Sequence, residues 1–340
     1  MFYTVERFVN QLIFNNTQNA VKLKFSGNSG QKSITLTRGK TVLPLNYYGS
    51  AVEQMVTLAT RIVEHGPSRI VLIEEPEAHF HPELQRKFLR FLRTNQEAFA
   101  HQYLIATHSN VFVDECANLG GHLFYVYSEP DDKTGLPYSQ IEVLDQSKQT
   151  SLLKDLGVKP SDVLLANGLL VVEGPTDRDV YADWARKLGK PFEVASVLVL
   201  DAEGITNIKK YLTSEVIQKT CFQRYALYDK HGKDLVRKVA SGIVPDQNLL
   251  SLKNGDIEDY YPRELVLEFA RENAPKKGKT KNDVPNEIMP GETVKVLSEL
   301  LNGEWWKTNL ASTMITQMKP EQIDSEIVEK LTKIYDAIYS

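Results

Sequence analysis

Paired carboxylates end one apolar run of this sequence, and a histidine follows a second apolar run further along the chain. The first run leads into Glu74 and Glu75, and the second, Leu104–Ala106, is followed closely by His108. A short apolar run that ends in acids is typical of a buried parallel strand, and ligands bind at the carboxyl ends of such strands. Two neighbouring strands that present Glu-Glu and His predict the hydrolytic half of a nucleotide-binding site.

A second set of carboxylates takes similar positions in the carboxyl-terminal half. Glu173 and Asp229 each end an apolar run, and Asp177 falls in the first turn of the helix expected after Glu173. Glu258 lies further along the chain. Clustered hard oxygen ligands at the strand ends of an open sheet suit Mg²⁺ or Mn²⁺. The sequence therefore predicts a divalent-metal site in this half.

The phosphate loop that should accompany the first site is missing. Gly27–Ser33 is one glycine short of the motif, because Gln31 stands directly before Lys32, and it falls in an expected hairpin. Gly39–Thr41 lacks the first glycine. Neither segment joins a strand to a helix in the way that the motif requires. We expect the chain alone to bind ATP poorly: its amino-terminal lobe has been removed, another chain supplies that lobe, or the site is vestigial.

Hydrophobic periodicity predicts the elements that position these residues. The first half reads as a helix, a hairpin and then alternating strands and helices. The second half begins another α/β series and ends in helices. The predicted helices cover 1–13, 51–64, 82–92, 176–188 and 205–212, and the predicted strands 21–25, 33–37, 70–73, 103–106, 123–127, 140–143, 169–172, 196–200 and 225–228. The polar segment 145–160 marks the boundary, which gives domains 1–150 and 151–340.

The motifs of the first half resemble the ABC-type ATPase heads of SMC-like DNA-repair proteins. They are Gly49-Ser50, the run Glu74–His79 and Ala106–Ser109, and the run with its following His81-Pro82 is most similar to the OLD (overcoming lysogenization defect) family. In such ATPases the first acid holds the Mg²⁺ shell and the second polarises the attacking water. The resemblance assigns these roles to Glu74 and Glu75, and contact with the γ-phosphate to His108. Ser50 is expected to cap a helix whose free N–H groups attract phosphate.

The second half resembles the Toprim fold, and the version found in OLD proteins most closely. The similar segments are Leu156-Gly157, Pro160–Val163, Leu170–Asp177 and Asp256–Tyr260, and the resemblance covers roughly residues 45 to 300. It implies an α/β fold that begins with a partial ABC-type ATPase lobe. This lobe has the signature motif at Ser50, the Walker B motif at Glu74–His79 and the switch histidine His108. A Rossmann-like Toprim domain with a helical carboxyl-terminal part follows. The resemblance also implies two-metal DNA cleavage. The ligands implied are Glu173, Asp177, Asp229 and Glu258, and Lys295 is the candidate for the lysine that stabilises the transition state.

One position departs from the Toprim pattern. Toprim domains usually read Asp-x-Asp where this chain has Asp229-Lys-His231. His231 could ligate a softer metal such as Mn²⁺, or Asp234 could take the place of the second acid. Alternatively, the second metal site is weakened and cleavage is slow or lost. Asp201 and Glu203 are further carboxylates near the same expected crevice, and they read as surface acids.

Composition limits the function class. The 340-residue chain is 42% hydrophobic and 25% charged, with a formal net charge of −4, as in an ordinary globular protein that has no overall attraction to nucleic acid. DNA contact is therefore expected from bound metals and from one basic loop. The lysines of the basic loop are Lys276, Lys277, Lys279 and Lys281.

The sequence also predicts the cellular setting. No apolar run approaches membrane-spanning length, and two distant cysteines fit a reduced, cytoplasmic setting.

The leading hypothesis is a Mg²⁺- or Mn²⁺-dependent DNA endonuclease of the OLD family, gated by an ATP-binding head and acting in defence against phage. It predicts a homodimer or larger homo-oligomer, a possible companion defence protein and no membrane association. The alternative hypothesis is a catalytically weakened Toprim module that binds nucleic acid or protein partners without cutting. Plasmid nicking distinguishes the two.

Overall fold

The computed structural model describes residues 2–14, 20–28, 31–131, 134–144, 158–213, 217–218 and 223–339. The chain divides into two compact units, Met1–Phe124 with Val143–Thr150, and Tyr125–Glu142 with Ser151–Ser340. Most of the segment in which the sequence predicts the domain boundary, residues 145–157, lies outside the described residues. No helix in the described ranges is both long enough and apolar enough to cross a membrane.

The first unit begins with an amphipathic helix and an antiparallel sheet. Val5, Val9 and Leu12 of the first helix are buried on one face, as the sequence periodicity predicts. The hairpin prediction is also confirmed, although its strands run longer than expected. The elements are α1 (Phe2–Leu12), β1 (Lys22–Asn28), β2 (Gln31–Arg38), β3 (Thr41–Pro44), α2 (Ser50–Glu64), β4 (Ile70–Glu74), α3 (Pro82–Thr94), α4 (Gln96–Phe99), β5 (Gln102–Ala106) and α5 (Asn110–Asn118).

Strands β4 and β5 pair in parallel, as expected, but β4 is not the buried strand that its sequence suggests. Ile73 is buried, whereas Ile70 is 66% exposed and Leu72 is 74% exposed. Leu104 on β5 is exposed on the neighbouring strand. The helices of this unit cover one face of the strand pair, and no described element covers the other. The expectation of burial on both faces is therefore wrong for the chain as it stands.

The two strands after α5 form a separate sheet. They are β6 (Leu123–Pro130) and β7 (Pro137–Leu144), and they pair with each other. Both extend further toward the intervening loop than the sequence predicts, so the loop is shorter than expected.

The second unit is built on a parallel sheet with a helical carboxyl-terminal part, as the fold-class prediction requires. Among the described residues the strand order is β11-β10-β8-β9. The strands are β8 (Gly168–Val172), β9 (Val197–Asp201), β10 (Gln223–Tyr228) and β11 (Leu249–Ser251). The helices are α6 (Pro160–Leu164), α7 (Pro175–Lys187), α8 (Ile208–Leu212), α9 (Lys233–Ala240), α10 (Arg263–Asn273), α11 (Thr293–Leu301), α12 (Trp305–Gln317) and α13 (Ser325–Tyr339).

The order of these strands determines where a ligand can bind. The chain passes from β8 to β9 on one side of it and later to β10 on the other side. The connections therefore diverge between β8 and β10, and such a point leaves a crevice at the carboxyl ends of the strands. Glu173 directly follows β8 and Asp229 directly follows β10. The topology brings these two predicted residues to one crevice.

The core of the second unit explains why β8 holds its position. All five residues of β8 are buried, in agreement with the prediction of a buried strand. Helix α13 packs against β10 and α7. It also approaches β8 so closely that a Cβ at Gly168 would lie 2.5 Å from the side chain of Ile338. The strand that leads to Glu173 is therefore fixed by packing from both faces of the sheet.

Candidate functional site

Glu173 and Asp229 are joined directly by a hydrogen bond. The backbone N–H of Asp229 donates to Oε1 of Glu173 over 2.7 Å. Gly204 N also donates to the Glu173 carbonyl oxygen over 2.8 Å, which ties the loop after β9 to the end of β8. A Cβ at Gly232 would lie 3.4 Å from Glu173 Oε1 and only 1.5 Å from Ile205. Glycine at position 232 therefore allows this loop to pack closely against Ile205 and Glu173.

Asp177 lies in the first turn of α7, as predicted. Its Oδ2 accepts a hydrogen bond of 2.9 Å from Gly174 N, the residue that precedes the helix. A carboxylate in this position satisfies a free N–H group and interacts favourably with the helix dipole. Residues 173–177 therefore fold so that the acids at both ends of the segment face the same crevice.

Glu258 reaches the site from a 3-10 turn, Ile257–Tyr260, and its side chain is buried. The neighbouring Asp259 holds this turn in place. Asp259 Oδ1 accepts from Gly291 N at 3.0 Å and from Thr293 Oγ1 at 2.6 Å. Its Oδ2 accepts from Asp256 N at 3.2 Å. Asp259 is thus a structural link between this turn and the start of α11.

The four predicted acids Glu173, Asp177, Asp229 and Glu258 act on one another electrostatically, and we call them the carboxylate cluster. Burial and the charge of Glu258 raise the pKa of Asp177 to about 7. Burial raises the pKa of Glu258 to about 7 as well, and nearby acids add to the effect. The pKa of Asp229 and that of Glu173 are raised in the same way, first by burial and then by neighbouring carboxylates. Negative charge is therefore crowded in a poorly solvated space.

Buried aromatic rings form one wall of this space. Burial, together with the charges of Asp177 and Asp229, raises the pKa of both Tyr181 and Tyr261 well above the usual value. Trp184 packs edge-on against both tyrosine rings, with centroids 5.8 and 5.9 Å away. These rings keep water away from the cluster, which accounts for the strong effect of burial on its acids.

Two charged residues that were not assigned to the site act on the carboxylate cluster. Asp256 raises the pKa of Glu173, Asp229 and Glu258. Lys307, on the first turn of α12, opposes this by lowering the pKa of Glu173, Asp177 and Glu258. Asp256 stands two positions before Glu258, a spacing that could have identified it. Nothing in the sequence around Lys307 distinguishes it from the other lysines.

The structure places the remaining predicted residues of this site at its edge or away from it. His231 is exposed, and its charge lowers the pKa of Glu173, so it lies close to the cluster. Lys295 is exposed on α11, and Asp234 is exposed on α9. Neither of these two is among the charges that act most strongly on the four acids.

Asp201 forms an ion pair with an arginine and is not a member of the carboxylate cluster. Its Oδ2 accepts from Arg178 Nη1 over 2.5 Å, and the same guanidinium donates from Nε to Asp179 over 3.0 Å. Glu203 is exposed, in agreement with its interpretation as a surface acid, and its backbone has a positive φ of 50°. Asp201 is therefore engaged by an arginine at the end of β9.

The donor chemistry of the carboxylate cluster fits a divalent cation. Its members are hard oxygen ligands, and a bound cation would offset the burial and the repulsion that raise their pKa values. The four acids suit a divalent cation in their charge and in the type of donor atom, but they are not arranged as a complete coordination shell. Among the described residues, no group of three Asp, Glu, His or Cys side chains already converges as a metal-binding set.

The nucleotide half-site lies at the ends of β4 and β5. Glu74 is the last residue of β4, and Glu75 follows with φ 41° and ψ 53°, in the left-handed region. Glu75 N donates to Ala106 O over 2.9 Å, which fixes this unusual turn against β5. Oε1 of Glu75 lies 4.0 Å from Nε2 of His108, and both side chains are largely exposed. The structure thus brings the predicted acid and histidine face to face.

The start of α2 differs from the sequence prediction by one residue. Gly49, with φ 85° and ψ 156°, occupies the N-cap position, and Ser50 is the first residue of the helix. The expectation that Ser50 is the N-cap is therefore wrong. The positive φ at the start of this helix favours glycine. Gly49 therefore caps the helix through its backbone conformation, without a side-chain hydrogen bond. Ser50 stays next to the free N–H groups of the first turn.

Glu77 is a residue of the half-site that sequence reasoning missed. Its Oε1 accepts from Thr107 Oγ1 over 2.6 Å and from the backbone N–H of His108 over 2.8 Å. Ser109 continues the network by donating to Gln85 Oε1 over 2.5 Å. The acid three residues after Glu74 therefore holds the loop that carries His108. The position of Glu77 within the acidic run was the signal available in the sequence.

Two segments of the chain are similar to known protein families. Residues 3–113 match the family described as AAA ATPase domain. Residues 164–230 match the family described as overcoming lysogenization defect protein-like, TOPRIM domain. An OLD nuclease from Thermus scotoductus is 30% identical over 143 residues, which is 41% of this chain and 27% of that protein. The chain therefore matches about a quarter of the length of this curated relative.

The solved structures that match part of this chain include OLD proteins and an Smc head. The C-terminal region of the Xanthomonas campestris pv. campestris OLD protein covers 52% of this chain, and 96% of its own length, at 16% identity and a TM-score of 0.40. The corresponding region from Burkholderia pseudomallei covers 51%, and 98% of its own length, at 16% identity and a TM-score of 0.38. An Smc head domain from Pyrococcus furiosus covers 46%, and 38% of its own length, at 15% identity and a TM-score of 0.33. The family matches confirm the resemblance to OLD proteins: a segment similar to the AAA ATPase domain family is followed by one similar to the OLD-like TOPRIM family.

Proposed function

We propose that this chain is a divalent-metal-dependent DNA endonuclease whose chemistry resides in the carboxylate cluster. The observation that carries the proposal is the presence of four acids, whose pKa values are raised by burial and by neighbouring carboxylates, around the crevice between β8 and β10. This supports metal-assisted chemistry on an anionic substrate, because the acids need a cation before they can approach a phosphodiester. The TOPRIM match and the name of the Thermus scotoductus relative, OLD nuclease, support a nuclease in particular.

The members of the cluster would hold Mg²⁺ or Mn²⁺, with His231 beside Glu173 as an additional ligand. When bound, the ion stabilises negative charge on the phosphodiester oxygens and activates water. The chain's own contribution is to hold the acids on rigid elements, with Glu173 fixed by Asp229 N and Asp177 fixed by Gly174 N. Lys307 adds a positive charge next to the substrate phosphate, the role that the resemblance assigns to a lysine.

We further propose that the first unit gates the nuclease through ATP. Glu74 would hold the Mg²⁺ shell, Glu75 would polarise water, and His108 would contact the γ-phosphate. The N–H groups beside Ser50 would bind phosphate, and a lobe with a phosphate loop would complete the site. The facing of Glu75 and His108 supports this arrangement. We expect a homodimer or larger oligomer that acts on phage DNA, with a possible companion defence protein.

The test is nicking of supercoiled plasmid by the whole chain in Mg²⁺ or Mn²⁺. Glu173→Ala should reduce the rate about 100-fold or more, because it removes one of the acids that would hold the metal. Glu299→Ala is the matched control, since it removes an exposed carboxylate of α11. Equal rates for wild type and Glu173→Ala would contradict the proposal.

A non-cutting DNA-binding module is the second candidate. It is favoured by the lack of a converged metal-ligand set among the described residues and by the exposed His231 in place of a second acid. This function predicts no nicking in either metal, together with plasmid binding that Glu173→Ala leaves intact.

A further inference from the structure

A groove lies between α10 and α12, and none of the four acids of the carboxylate cluster lines it. Its volume is about 530 Å³, within the range of roughly 300–1,000 Å³ that is typical of small-molecule pockets. It can therefore hold a ligand the size of one nucleotide. The residues that line it are Phe269, Glu272, Asn273, Lys276, Lys277, Trp305, Asn309, Ser312 and Thr313.

Two lysines give one side of the groove a fixed positive charge. Lys276 Nζ donates to Asn273 Oδ1 over 3.0 Å, and Asn273 is itself anchored by donation from its Nδ2 to Phe269 O over 2.8 Å. Lys277 Nζ lies 4.7 Å from the centroid of the Trp305 ring, in cation–π contact. In the part of the chain that the structure describes, no carboxylate lies within salt-bridge distance of either ammonium group. The two charges are thus positioned and available to an anion.

Helix α12 adds an aromatic ring and several polar groups to the groove. The indole N–H of Trp305 donates to Asn302 O over 2.9 Å and to Leu301 O over 3.3 Å, which fixes the orientation of the ring. Asn309, Ser312 and Thr313 follow on the same helix. An aromatic ring beside ammonium groups and hydroxyls is the composition of surfaces that bind single-stranded nucleic acid.

Helix α12 places this groove next to the carboxylate cluster. Trp305 lines the groove, and Lys307, two residues later, acts on the cluster. Residues two positions apart project from nearly opposite sides of a helix. The first turn of α12 therefore stands between the two sites, and an α-helix with its side chains is about 10–12 Å across. A short segment of DNA backbone can span that distance.

We propose that this groove binds an unpaired nucleotide of the DNA strand whose backbone lies at the carboxylate cluster. The proposal rests on the nuclease function proposed above and adds the form of its substrate. A concave pocket accepts a base that is free of its stack, whereas a paired base stays inside the duplex. Lys276 and Lys277 bind the phosphates, and the carboxylate of Glu272 accepts a hydrogen bond from an N–H group of the base, such as N3–H of thymine.

The test measures the binding of a fluorescent oligothymidylate by anisotropy, with the whole chain in Ca²⁺. The double variant Lys276→Gln/Lys277→Gln should bind about five- to tenfold more weakly, and its salt slope should fall by about 1.4, or 0.7 per phosphate contact. Trp305→Ala should weaken binding and Trp305→Phe should restore most of it, because stacking needs only an aromatic face. The control Lys209→Gln/Lys210→Gln replaces two consecutive exposed lysines of α8, and it should bind the oligothymidylate as the wild type does.

Three outcomes would overturn the proposal. Lys279→Gln/Lys281→Gln, which changes the same loop outside the groove, could cause the same loss as the groove pair. The groove pair could affect a matched duplex as strongly as the single strand. The wild-type chain could fail to bind the single strand at all. Plasmid nicking by the wild-type chain distinguishes this proposal from the nuclease proposal. If the wild type does not nick plasmid but the groove variants still weaken single-strand binding, the nuclease proposal alone is refuted. If the wild type nicks plasmid and the groove variants bind the single strand as the wild type does, the groove proposal alone is refuted.

Discussion

Lys307 and the carboxylate cluster interact at the scale of single residues. The ammonium lowers the pKa of three of the four acids, and it lies 6.0 Å from the ring centroid of the buried Trp306. A lysine packed along an aromatic ring has less freedom to move into solvent than an exposed one. Lys307 is therefore held where positive charge can act on whatever the acids bind.

Replacement of Lys307 by glutamine should lower plasmid nicking by about 100-fold, as expected when one stabilising charge is removed from a transition state. Lys295→Gln should change the rate by less than about twofold, because Lys295 is exposed on α11 and its charge is not among the strongest at the cluster. Circular dichroism verifies that both variants fold. A larger loss for Lys295→Gln than for Lys307→Gln would return the role to Lys295.

The two lysines also show what the sequence could predict at this scale. Glu173 and Asp229 were identifiable because each ends an apolar run, and the position of a residue at a strand end follows from local pattern. Lys307 lies more than one hundred residues from Glu173 in the sequence, and only the packing of α12 brings them together. Such long-range proximity depends on tertiary packing that no local pattern encodes.

At the scale of elements, the 3-10 turn that carries Glu258 depends on a neighbouring helix. Asp259 accepts hydrogen bonds from Gly291 and Thr293 at the start of α11 and from Asp256 within its own segment. Tyr260 adds a second attachment, since its hydroxyl donates to Glu326 of α13 over 2.7 Å. Two helices distant in sequence thus hold one short turn in the orientation that directs Glu258 into the crevice.

Asp259→Ala should lower the free energy of unfolding by about 2–3 kcal/mol, because it leaves several part-buried N–H and O–H groups without an acceptor. Urea unfolding followed by circular dichroism measures the change. Asp283→Ala is the matched control: Asp283 accepts comparable bonds from Thr280, but at an exposed site. The loss of stability should be clearly smaller for Asp283→Ala than for Asp259→Ala, and an equal loss for both variants would argue against the role of α11.

Most strands were predictable within a few residues, whereas only five helices were given ranges from the sequence. Strands β3 and β11 were missed because four and three residues are too few to establish a period. The burial of β4 was overestimated because an apolar sequence shows which residues can be covered, and says nothing about which element covers them. The N-cap of α2 was placed one residue late because the left-handed backbone of Gly49 substitutes for a serine cap.

At the scale of the whole molecule, the charge of the carboxylate cluster is linked to the stability of the second unit. The folded chain holds protons on Asp177 and Glu258 up to a pKa of about 7, whereas the same acids ionise near 4 when unfolded. Between these pH values the folded state binds more protons than the unfolded state. The free energy of unfolding therefore falls as pH rises through this range, which is opposite to the trend for a salt-bridged acid.

Metal-free protein should therefore lose stability between about pH 5 and pH 8, on the order of a few kcal/mol for the buried acids together. Glu258→Gln should be more stable than wild type near pH 8 in a chelator, and the difference should shrink toward pH 5. Mg²⁺ should stabilise wild type more than the variant. Urea unfolding across this pH range measures all three effects, with Glu299→Gln as the exposed control. A wild-type stability that increases with pH would contradict the linkage.

The backbone of Glu75 carries a consequence for any laboratory evolution of this protein. A side chain held at φ 41° and ψ 53° costs about 1–2 kcal/mol that glycine would not incur, and only part of this is offset by the greater flexibility of unfolded glycine. A library selected for thermostability alone would therefore enrich glycine at position 75 and discard the carboxylate. Ala100, at φ 51° in an exposed position outside either site, offers the same gain without that loss. The retention of glutamate at position 75 under selection for activity would report what its side chain contributes.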